Sequence, residues 1–300
     1  MNRYPKHYTY KGRIIKFSQT QVMGILNITP DSFSDGGRFH KKTAALEQAD
    51  LMISQGVNII DVGGESSRPG ANKVSAEEEM NRVIPIISEI SRKHPGVLIS
   101  IDTMKVDVAR KAMAAGASMI NDITGLRDPM MVNLISKLKA PVVIMHMQGT
   151  PQTMQKNPQY KDVVCDIKNY FVERANFCKR RGINKIILDP GIGFGKTRNH
   201  NLEILRRLEE IVELRWPVLV GLSRKSFIGK TLGTMVDTRL NGTLASNAIA
   251  VSKGAKIIRV HDVVENLHVA RMADIINKGM KYRKTQQLLE PNENNNNCNR

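Results

Sequence analysis

Residues 56–61 read GVNIID and join a glycine, a short apolar run and a polar residue in an order that recurs along the chain. Glycine has no Cβ atom, so it accepts the left-handed conformation in which a helix commonly ends. A short apolar run without strict alternation is typical of a parallel strand buried on both faces. The same order of residues recurs at 116–121 (GASMIN), 182–189 (GINKIILD) and 254–259 (GAKIIR). The repeat predicts a helix, then a strand, then a polar residue at the end of the strand.

Short apolar runs alternate with longer amphipathic stretches along most of the chain. The predicted strands are 22–29, 58–64, 98–104, 118–124, 141–147, 185–191, 217–223 and 256–262. Between them, Ser75 and Glu78 form a capping-box pattern, and Leu202, Leu205 and Leu208 follow helical spacing as core residues. Eight strand-plus-helix units predict an α/β fold of the TIM (β/α)8 barrel type. A doubly wound open sheet is the alternative, but its usual GxGxxG turn after the first strand is absent.

The chain divides into three parts. Residues 1–21 precede the first predicted strand and form an N-terminal extension, with a short hairpin as its candidate structure. Residues 22–280 form the barrel. Residues 281–300 contain an asparagine run at 294–297 and are predicted to be a flexible, disordered polar tail.

Composition excludes several classes of protein. The net charge is +17, but aromatic residues make up only 5% of the chain and no basic stretch is interleaved with them, so nucleic-acid binding is not expected. An anionic substrate explains part of the excess charge. Three scattered cysteines indicate neither a disulfide framework nor structural zinc. No leader or membrane span is recognisable, which predicts a cytoplasmic protein that makes no contact with a membrane.

Polar residues stand at the end of nearly every predicted strand. They are Asn27, Asp61, Asp102, Asn121, His146, Asp189, Ser223 with Lys225, and Arg259 with His261. In a barrel, the catalytic groups lie at this end of the strands. Helix capping alone is the simpler explanation, but so many polar groups at one rim favour a ligand that pairs with them.

Three glycine-containing loops follow these strands. Loops 27–37 (NITPDSFSDGG) and 63–70 (the last eight residues of DVGGESSRPG) mix glycine, hydroxyl groups and proline, and they are predicted to be mobile lids over a substrate. Residues 195–197 (GKT) resemble the end of a phosphate-binding P-loop. That motif requires a glycine where Pro190 stands, so a nucleoside triphosphatase is rejected.

Residues 20–278 resemble the dihydropteroate synthase family. The resemblance depends on the two loops above and on SIDT, NDITG, MHMQG, LDPGIGFGK, GLSRKS and RVHD, which occur in this order at the predicted strand ends. It implies a TIM barrel, commonly a homodimer. The implied reaction joins (7,8-dihydropterin-6-yl)methyl diphosphate to 4-aminobenzoate, with Mg²⁺, and gives 7,8-dihydropteroate and pyrophosphate.

The resemblance also implies roles for individual residues. Asp102, Asn121, Asp189 and Lys225 would pair with the pterin, Met145 would pack near its ring, and Asp61 would support the pocket. Arg259 and His261 would bind the diphosphate and assist its departure, Asp102 and Lys225 would be catalytic, and Asn27 would be the Mg²⁺ ligand.

A second set of residues is implied for the aminobenzoate. Its ring would lie against Phe33, Pro69 and Phe194, with its carboxylate near Ser226 and the stem of Lys225, and with Ser67 and Arg68 close by. Many members of the family have threonine where this chain has Ser67. The hydroxyl group is kept, but the missing methyl group could change the fit to sulfonamides.

Two alternatives belong to other classes. A methyltransferase that takes a methyl group from a reduced folate could share the pterin pocket, but it should lack the diphosphate residues Asn27, Arg259 and His261. An RNA-binding protein on a barrel scaffold predicts tight, salt-sensitive binding that survives removal of the charged ends.

Overall fold

In a computed structural model of the chain, the structure describes residues 5–29, 38–66 and 73–278. The strands are β1 (His7–Tyr10), β2 (Arg13–Lys16), β3 (Gln21–Asn27), β4 (Ile59–Gly63), β5 (Leu98–Asp102), β6 (Met119–Asp122), β7 (Val142–Met145), β8 (Ile186–Asp189), β9 (Leu219–Val220) and β10 (Ile257–Val260). The helices are α1 (Arg38–Ser54), α2 (Ala76–Lys93), α3 (Val106–Ala115), α4 (Pro129–Leu138), α5 (Val163–Arg180), α6 (Arg198–Arg206), α7 (Leu208–Val212), α8 (Ser226–Leu232), α9 (Leu240–Ser252) and α10 (Val263–Lys278), with a 3-10 helix at Val236–Thr238. The predicted tail, 281–300, lies outside the described residues.

Eight strands form one parallel sheet in the order β8-β7-β6-β5-β4-β3-β10-β9. A parallel bridge between Leu188 and Val218 brings the last strand back toward the first, and the amide of Leu188 donates to the carbonyl of Pro217 over 2.8 Å. The sheet is therefore a nearly closed barrel with helices between its strands. The predicted TIM barrel is confirmed, and the open-sheet alternative is wrong. Every strand of this sheet overlaps its predicted run, but each ends one to three residues before the run does, and β9 is shortened most, to two residues.

The four glycines of the repeated pattern follow the ends of helices and have positive φ, as the sequence predicts. Gly56, Gly116, Gly182 and Gly254 follow helices with φ values of +91°, +122°, +72° and +100°. At Gly116 a Cβ atom would lie 2.2 Å from the Oγ atom of Ser91, so packing as well as backbone conformation requires glycine. These turns set the start of each following strand.

Two helix predictions need revision. Ser75 does cap α2, because its side chain accepts from the amide of Glu78 over 3.1 Å, but the Glu78 carboxylate pairs with Arg82 instead of completing a capping box. The predicted single stripe after residue 202 is divided at Arg207 into α6 and α7. Leu202 is 39% exposed, so its assignment to the core is wrong.

The N-terminal extension contributes to the interior of the barrel. Strands β1 and β2 pair in antiparallel fashion, and Tyr8 donates from its hydroxyl group to the carbonyl of Ile186 over 2.9 Å. One buried cluster combines hairpin residues with one residue from each barrel strand: Tyr8, Ile15, Phe17, Met23, Ile59, Leu98, Met119, Val143, Ile187, Leu219 and Ile257. This apolar layer fills the N-terminal end of the barrel, so the opposite end is left for chemistry. Among the described helices, none has the length and apolar character to cross a membrane.

Candidate active site

A layer of polar side chains lies directly beyond the apolar layer. Side chains of a strand alternate between its two faces, so residues two or four positions after an inward-facing apolar residue also face the interior. Counting from the apolar layer in this way selects Asn27, Asp61, Asp102, Asn121, Asp189 and Arg259, which we call the polar layer. All six were predicted from strand ends, and the barrel brings them to one rim. Met145 occupies the equivalent position on β7 and is buried.

Arg259 joins two carboxylates of the polar layer. Its Nε atom lies 2.6 Å from Oδ2 of Asp61, and its Nη2 atom lies 2.7 Å from Oδ2 of Asp102. Asn121 donates to the same Asp61 oxygen over 3.2 Å. Asp61 is completely buried, and its other oxygen has no hydrogen-bond partner among the described residues. Asp61 therefore holds Arg259 and Asn121 in place from within the polar layer and is itself closed off from solvent.

Burial disfavours charge on the other two carboxylates of the polar layer. It raises the pKa of Asp102, against the lowering effect of Arg259 and with the help of nearby Asp61. It also raises the pKa of Asp189, whose Oδ1 atom accepts from the amide of Gly191 over 2.7 Å. Few water molecules compete for these two carboxyl groups, so both can form strong, directed hydrogen bonds to a ligand.

Lys225 is the cation at the opening of the site. It is the N-cap of α8, and its Nζ atom lies 4.1 Å from the centre of the Phe194 ring. Burial lowers its pKa to about 8, with Arg259 acting in the same direction and Asp189 opposing. Ser226 begins α8 and is exposed. A cation of this kind can donate to a carbonyl oxygen or a ring nitrogen.

His261 follows β10 and is oriented by a serine. The Nδ1 atom of His261 lies 2.9 Å from Oγ of Ser223, which also accepts from the backbone amide of His261 over 3.3 Å. With the amide donating to Oγ, the serine hydroxyl can donate to Nδ1, an arrangement that favours a ring proton on Nε2. His261 can then donate to an anion.

Asn27 lies beside Asp102 at the rim. A Cβ atom on Gly63 would be 3.5 Å from Oδ1 of Asn27 and 3.8 Å from Oδ2 of Asp102, so glycine leaves room between these side chains. Within the described ranges, no group of three or more histidine, cysteine, aspartate and glutamate side chains could hold a metal ion. A divalent cation here would depend on Asn27 and on oxygens of the ligand. Mg²⁺ accepts such a site, because it prefers oxygen, keeps several waters and is often held through substrate phosphates.

His146 does not belong to the polar layer, and its prediction as a rim residue is wrong. It follows Met145, so it faces away from the barrel interior, and its ring packs edge-on against Tyr170 with centres 5.0 Å apart. Its Nδ1 atom lies 3.1 Å from the Nζ atom of Lys196. Burial, together with the charges of Lys196 and Arg127, holds its pKa far below the ordinary value, so the ring is neutral.

Met145 and Phe194 belong to one apolar cluster at the rim, with Ile123, Met147 and Met154. Four other predicted contacts, Phe33, Ser67, Arg68 and Pro69, lie outside the described residues, so both glycine-containing loops remain predictions. Sequence reasoning missed Lys196, which it treated only as part of a failed P-loop. Its position after the glycines at 191, 193 and 195 was the available signal.

Comparison with known proteins gives consistent results. The family model described as pterin binding enzyme matches residues 23–261, a range that includes the whole polar layer. The chain is 47% identical to the dihydropteroate synthase of Escherichia coli strain K12 over 266 residues, covering 88% of this chain and 94% of that protein. A crystal structure of Yersinia pestis dihydropteroate synthase with a sulfonamide drug has a TM-score of 0.85 and 43% identity, covering 90% of this chain and 98% of that one. The Xanthomonas albilineans dihydropteroate synthase in complex with 7,8-dihydropteroate has a TM-score of 0.82 and 37% identity, covering 91% and 99%.

Proposed function

This chain belongs to the dihydropteroate synthase family of pterin binding enzymes, and from that premise we propose how its own residues divide the reaction. The enzyme condenses (7,8-dihydropterin-6-yl)methyl diphosphate with 4-aminobenzoate in folate biosynthesis, giving 7,8-dihydropteroate and pyrophosphate. The observation that carries the assignment of roles is the convergence of three carboxylates, two amides, an arginine and a lysine at one end of the barrel.

The pterin is bound by the polar layer. Its aminopyrimidinone edge has adjacent N–H donors, which suit the carboxylates of Asp102 and Asp189 and the amide oxygen of Asn121. Lys225 donates to the pterin carbonyl or to a ring nitrogen. Because both carboxylates are buried, their hydrogen bonds to the ring form with little competition from water. Met145 packs near the ring from the interior side.

The diphosphate is bound by Arg259 and His261. Arg259 donates to Asp61 from Nε and to Asp102 from Nη2. Its third nitrogen, Nη1, has no hydrogen-bond partner among the described residues and is therefore available to a phosphate oxygen. His261 lies two residues after Arg259 and can donate from Nε2 to the same group. Asn27 is the proposed protein ligand for Mg²⁺, with the remaining ligands supplied by phosphate oxygens and water. When bound, Mg²⁺ neutralises charge on the leaving diphosphate.

The reaction is a displacement at the methylene carbon attached to the pterin. The bond from this carbon to the diphosphate oxygen breaks, and the electron pair leaves with pyrophosphate, while Arg259 and His261 stabilise the charge that develops. The Asp102 carboxylate stabilises positive charge on the pterin-methyl group. The neutral amine of 4-aminobenzoate then bonds to this carbon and loses a proton to solvent. Electrostatic stabilisation carries the catalysis, so the reaction requires no nucleophile from the protein.

The aminobenzoate is proposed to bind at the opening, where Phe194 and Lys225 meet. Phe194 packs against the Met145 cluster and faces the amine of Lys225, so a flat ring can extend this apolar surface. Ser226 is placed to meet the carboxylate, and Phe33, Ser67, Arg68 and Pro69 complete the proposed subsite from the two loops. Sulfonamides compete for the same position in this proposal.

A homodimer is also proposed. Exposed apolar side chains concentrate on α8 to α10 and the 3-10 helix: Leu232, Met235, Val236, Ile249, Met272 and Ile276 are each between 48% and 77% exposed. Helices α8 and α9, and likewise α9 and α10, pack against each other, so these residues share one side of the barrel. A surface of this kind favours self-association.

A cytoplasmic location is proposed as well, because Cys165 and Cys178 are free thiols, as in a reducing compartment.

Pyrophosphate release tests the assignment directly. Wild type should release pyrophosphate only when the dihydropterin diphosphate, 4-aminobenzoate and Mg²⁺ are all present. Lys225→Ala and Arg259→Ala should each lose at least about a hundredfold in kcat/KM, because each removes a charged donor from a buried site. Lys230→Ala, at an exposed lysine of α8, is the matched control. Equal activity in all four proteins would contradict the proposed roles.

A further inference from the structure

Lys196 is a buried lysine that the reaction described above does not use. It is 3% exposed, and its ammonium group has three neighbours. The Nζ atom lies 3.1 Å from Nδ1 of His146, 3.2 Å from the carbonyl oxygen of His146 and 2.9 Å from the carbonyl oxygen of Phe194. Three donors therefore meet three acceptors, and all of the acceptors are uncharged.

This arrangement lacks the usual partner of a buried cation. Among the described residues, no carboxylate lies within ion-pair distance of Lys196, and burial lowers its pKa to about 7. Burying a charge without a counterion is costly, and a methionine of similar length would pack without that cost. Stability alone therefore does not account for a lysine at this position.

The contacts of Lys196 link one loop to one strand end. Residues 190–195 form the loop after β8, and at Gly191 a Cβ atom would lie only 2.0 Å from the carbonyl oxygen of His146, so the loop passes very close to the end of β7. Lys196 reaches back beneath this loop and joins the carbonyl of Phe194 to both acceptors of His146. The ammonium group thus fixes the backbone of Phe194 against a strand of the barrel.

Phe194 in turn contacts the cation of the site. Its ring centre lies 4.1 Å from Nζ of Lys225, and a Cβ atom on the neighbouring Gly193 would lie 3.0 Å from Cδ of Lys225. The position of the loop 190–195 therefore determines where the Phe194 ring lies over the amine of Lys225 and how much space surrounds the aliphatic stem of Lys225. Moving the Phe194 carbonyl would move this ring.

We propose that Lys196 is a positioning residue for the aminobenzoate subsite: its buried ammonium group holds the loop 190–195 against His146 and so places the ring of Phe194 over Lys225. The inference rests on the proposed function, because it assigns Phe194 to the aminobenzoate. Lys196 touches neither substrate. Among the described residues, its hydrogen bonds go to His146 and Phe194 and not to the pterin-binding side chains Asp102, Asn121 and Asp189.

Several charged or titratable groups act on Lys196 or on its partner. Asp189 on β8 favours the ammonium form, and Lys225 before α8 disfavours it. Lys196 lowers the pKa of His146 and of His200 on α6, and Arg127 also lowers the pKa of His146. As the pH rises through about 7, the ammonium group loses a proton and can no longer donate to all three acceptors. The KM for 4-aminobenzoate should therefore rise over this range.

The test compares Lys196→Met with Lys111→Met, a matched change at an exposed lysine of α3. Lys196→Met should raise the KM for 4-aminobenzoate about tenfold, since charge-assisted hydrogen bonds are lost, and leave the Kd of dihydropterin diphosphate, measured by calorimetry, within about twofold. Lys111→Met should change neither quantity. An unchanged KM, or an equal weakening of both substrates, would overturn the proposal. Absence of pyrophosphate release in wild type would instead overturn the proposed function.

Two further measurements test the proposal even if Lys196→Met does not fold. The wild-type KM for 4-aminobenzoate should rise between pH 6 and pH 7.5, around the lysine pKa of about 7, and a flat profile would count against Lys196. Phe194→Leu should raise the same KM and remove this pH dependence, because Lys196 acts through Phe194. A pH dependence that persists in Phe194→Leu would overturn the proposed route.

Discussion

The Nε atom of Arg259 donates to Oδ2 of Asp61 over 2.6 Å, and this aspartate is a completely buried member of the polar layer. The two residues are 198 positions apart in the chain and lie on β10 and β4. Asp61 and Asp102 bind the Nε and Nη2 atoms of the guanidinium group, which leaves Nη1 for the proposed phosphate contact. Asp61 thus sets the orientation of Arg259, the residue proposed to bind the phosphate, although no substrate needs to contact Asp61 itself.

Asp61→Asn should therefore damage both stability and catalysis. Removing one partner of a buried ion pair leaves the arginine incompletely compensated, and we expect a loss of about 3 kcal/mol in the free energy of unfolding, measured with urea. The KM for dihydropterin diphosphate should rise, because Arg259 is no longer fixed. Asp107→Asn, which removes a solvent-exposed ion pair with Arg110, is the control and should have no measurable effect. Equal stability of the two variants would refute the supporting role of Asp61.

The activity should fall in alkaline solution because of Lys225. Burial lowers the pKa of this lysine to about 8, so above that pH the ammonium donor to the pterin is progressively lost. The kcat/KM for dihydropterin diphosphate should then decline about tenfold for each pH unit. Lys225→Arg stays protonated and, whatever its absolute rate, should show no such decline. If wild type and Lys225→Arg lost activity at the same alkaline pH, the loss would have to come from the titration of another group.

The acid limb should report on Asp102. Burial and the nearby Asp61 raise its pKa, so protonation removes the carboxylate well above the pH at which an exposed aspartate would titrate. The kcat of wild type should fall as the pH is lowered through this raised pKa. Asp102→Asn should be slow at every pH and should lack the acid limb. A retained limb in Asp102→Asn would show that a different acid controls the rate.

Asn27→Ala should change the requirement for Mg²⁺. If Asn27 is the protein ligand, its loss should raise the Mg²⁺ concentration needed for half-maximal activity by about tenfold. The KM for 4-aminobenzoate should not change, and excess Mg²⁺ should restore much of the rate. Asn199→Ala, at an exposed residue of α6, is the matched control. A Mg²⁺ titration curve identical to that of wild type would remove Asn27 from the metal site.

Met272→Glu should dissociate the proposed dimer. Met272 is 61% exposed on α10, and a carboxylate there would be buried without a partner in a dimer formed by α8 to α10. Light scattering after size exclusion should give about twice the monomer mass for wild type and the monomer mass for the variant. Met130→Glu, at a residue 58% exposed on α4, should remain dimeric. A monomeric wild type, or equal effects of the two substitutions, would contradict this interface.

The fold and most of the polar layer could be predicted because their signals are local. A glycine with positive φ, a short apolar run and a polar strand end are all properties of adjacent residues, and eight such units allow few other architectures. Asp102, Asn121, Asp189 and Arg259 were identified in this way before any contact was known. His146 was misplaced because the face that a strand-end residue presents depends on the inward register of its strand, which the list of strand ends ignored.

The positions of the strands, the polar residues at their ends and the similarity to a family follow from the amino-acid sequence. The contacts among these residues emerge only in the folded barrel, where Asp61 and Asp102 hold Arg259 and Lys196 joins Phe194 to His146. The reason is that such contacts depend on how β10 pairs with β3 and β9 in the barrel and on how completely each charge is removed from water. Both are properties of the assembled chain, and no local pattern of residues encodes them.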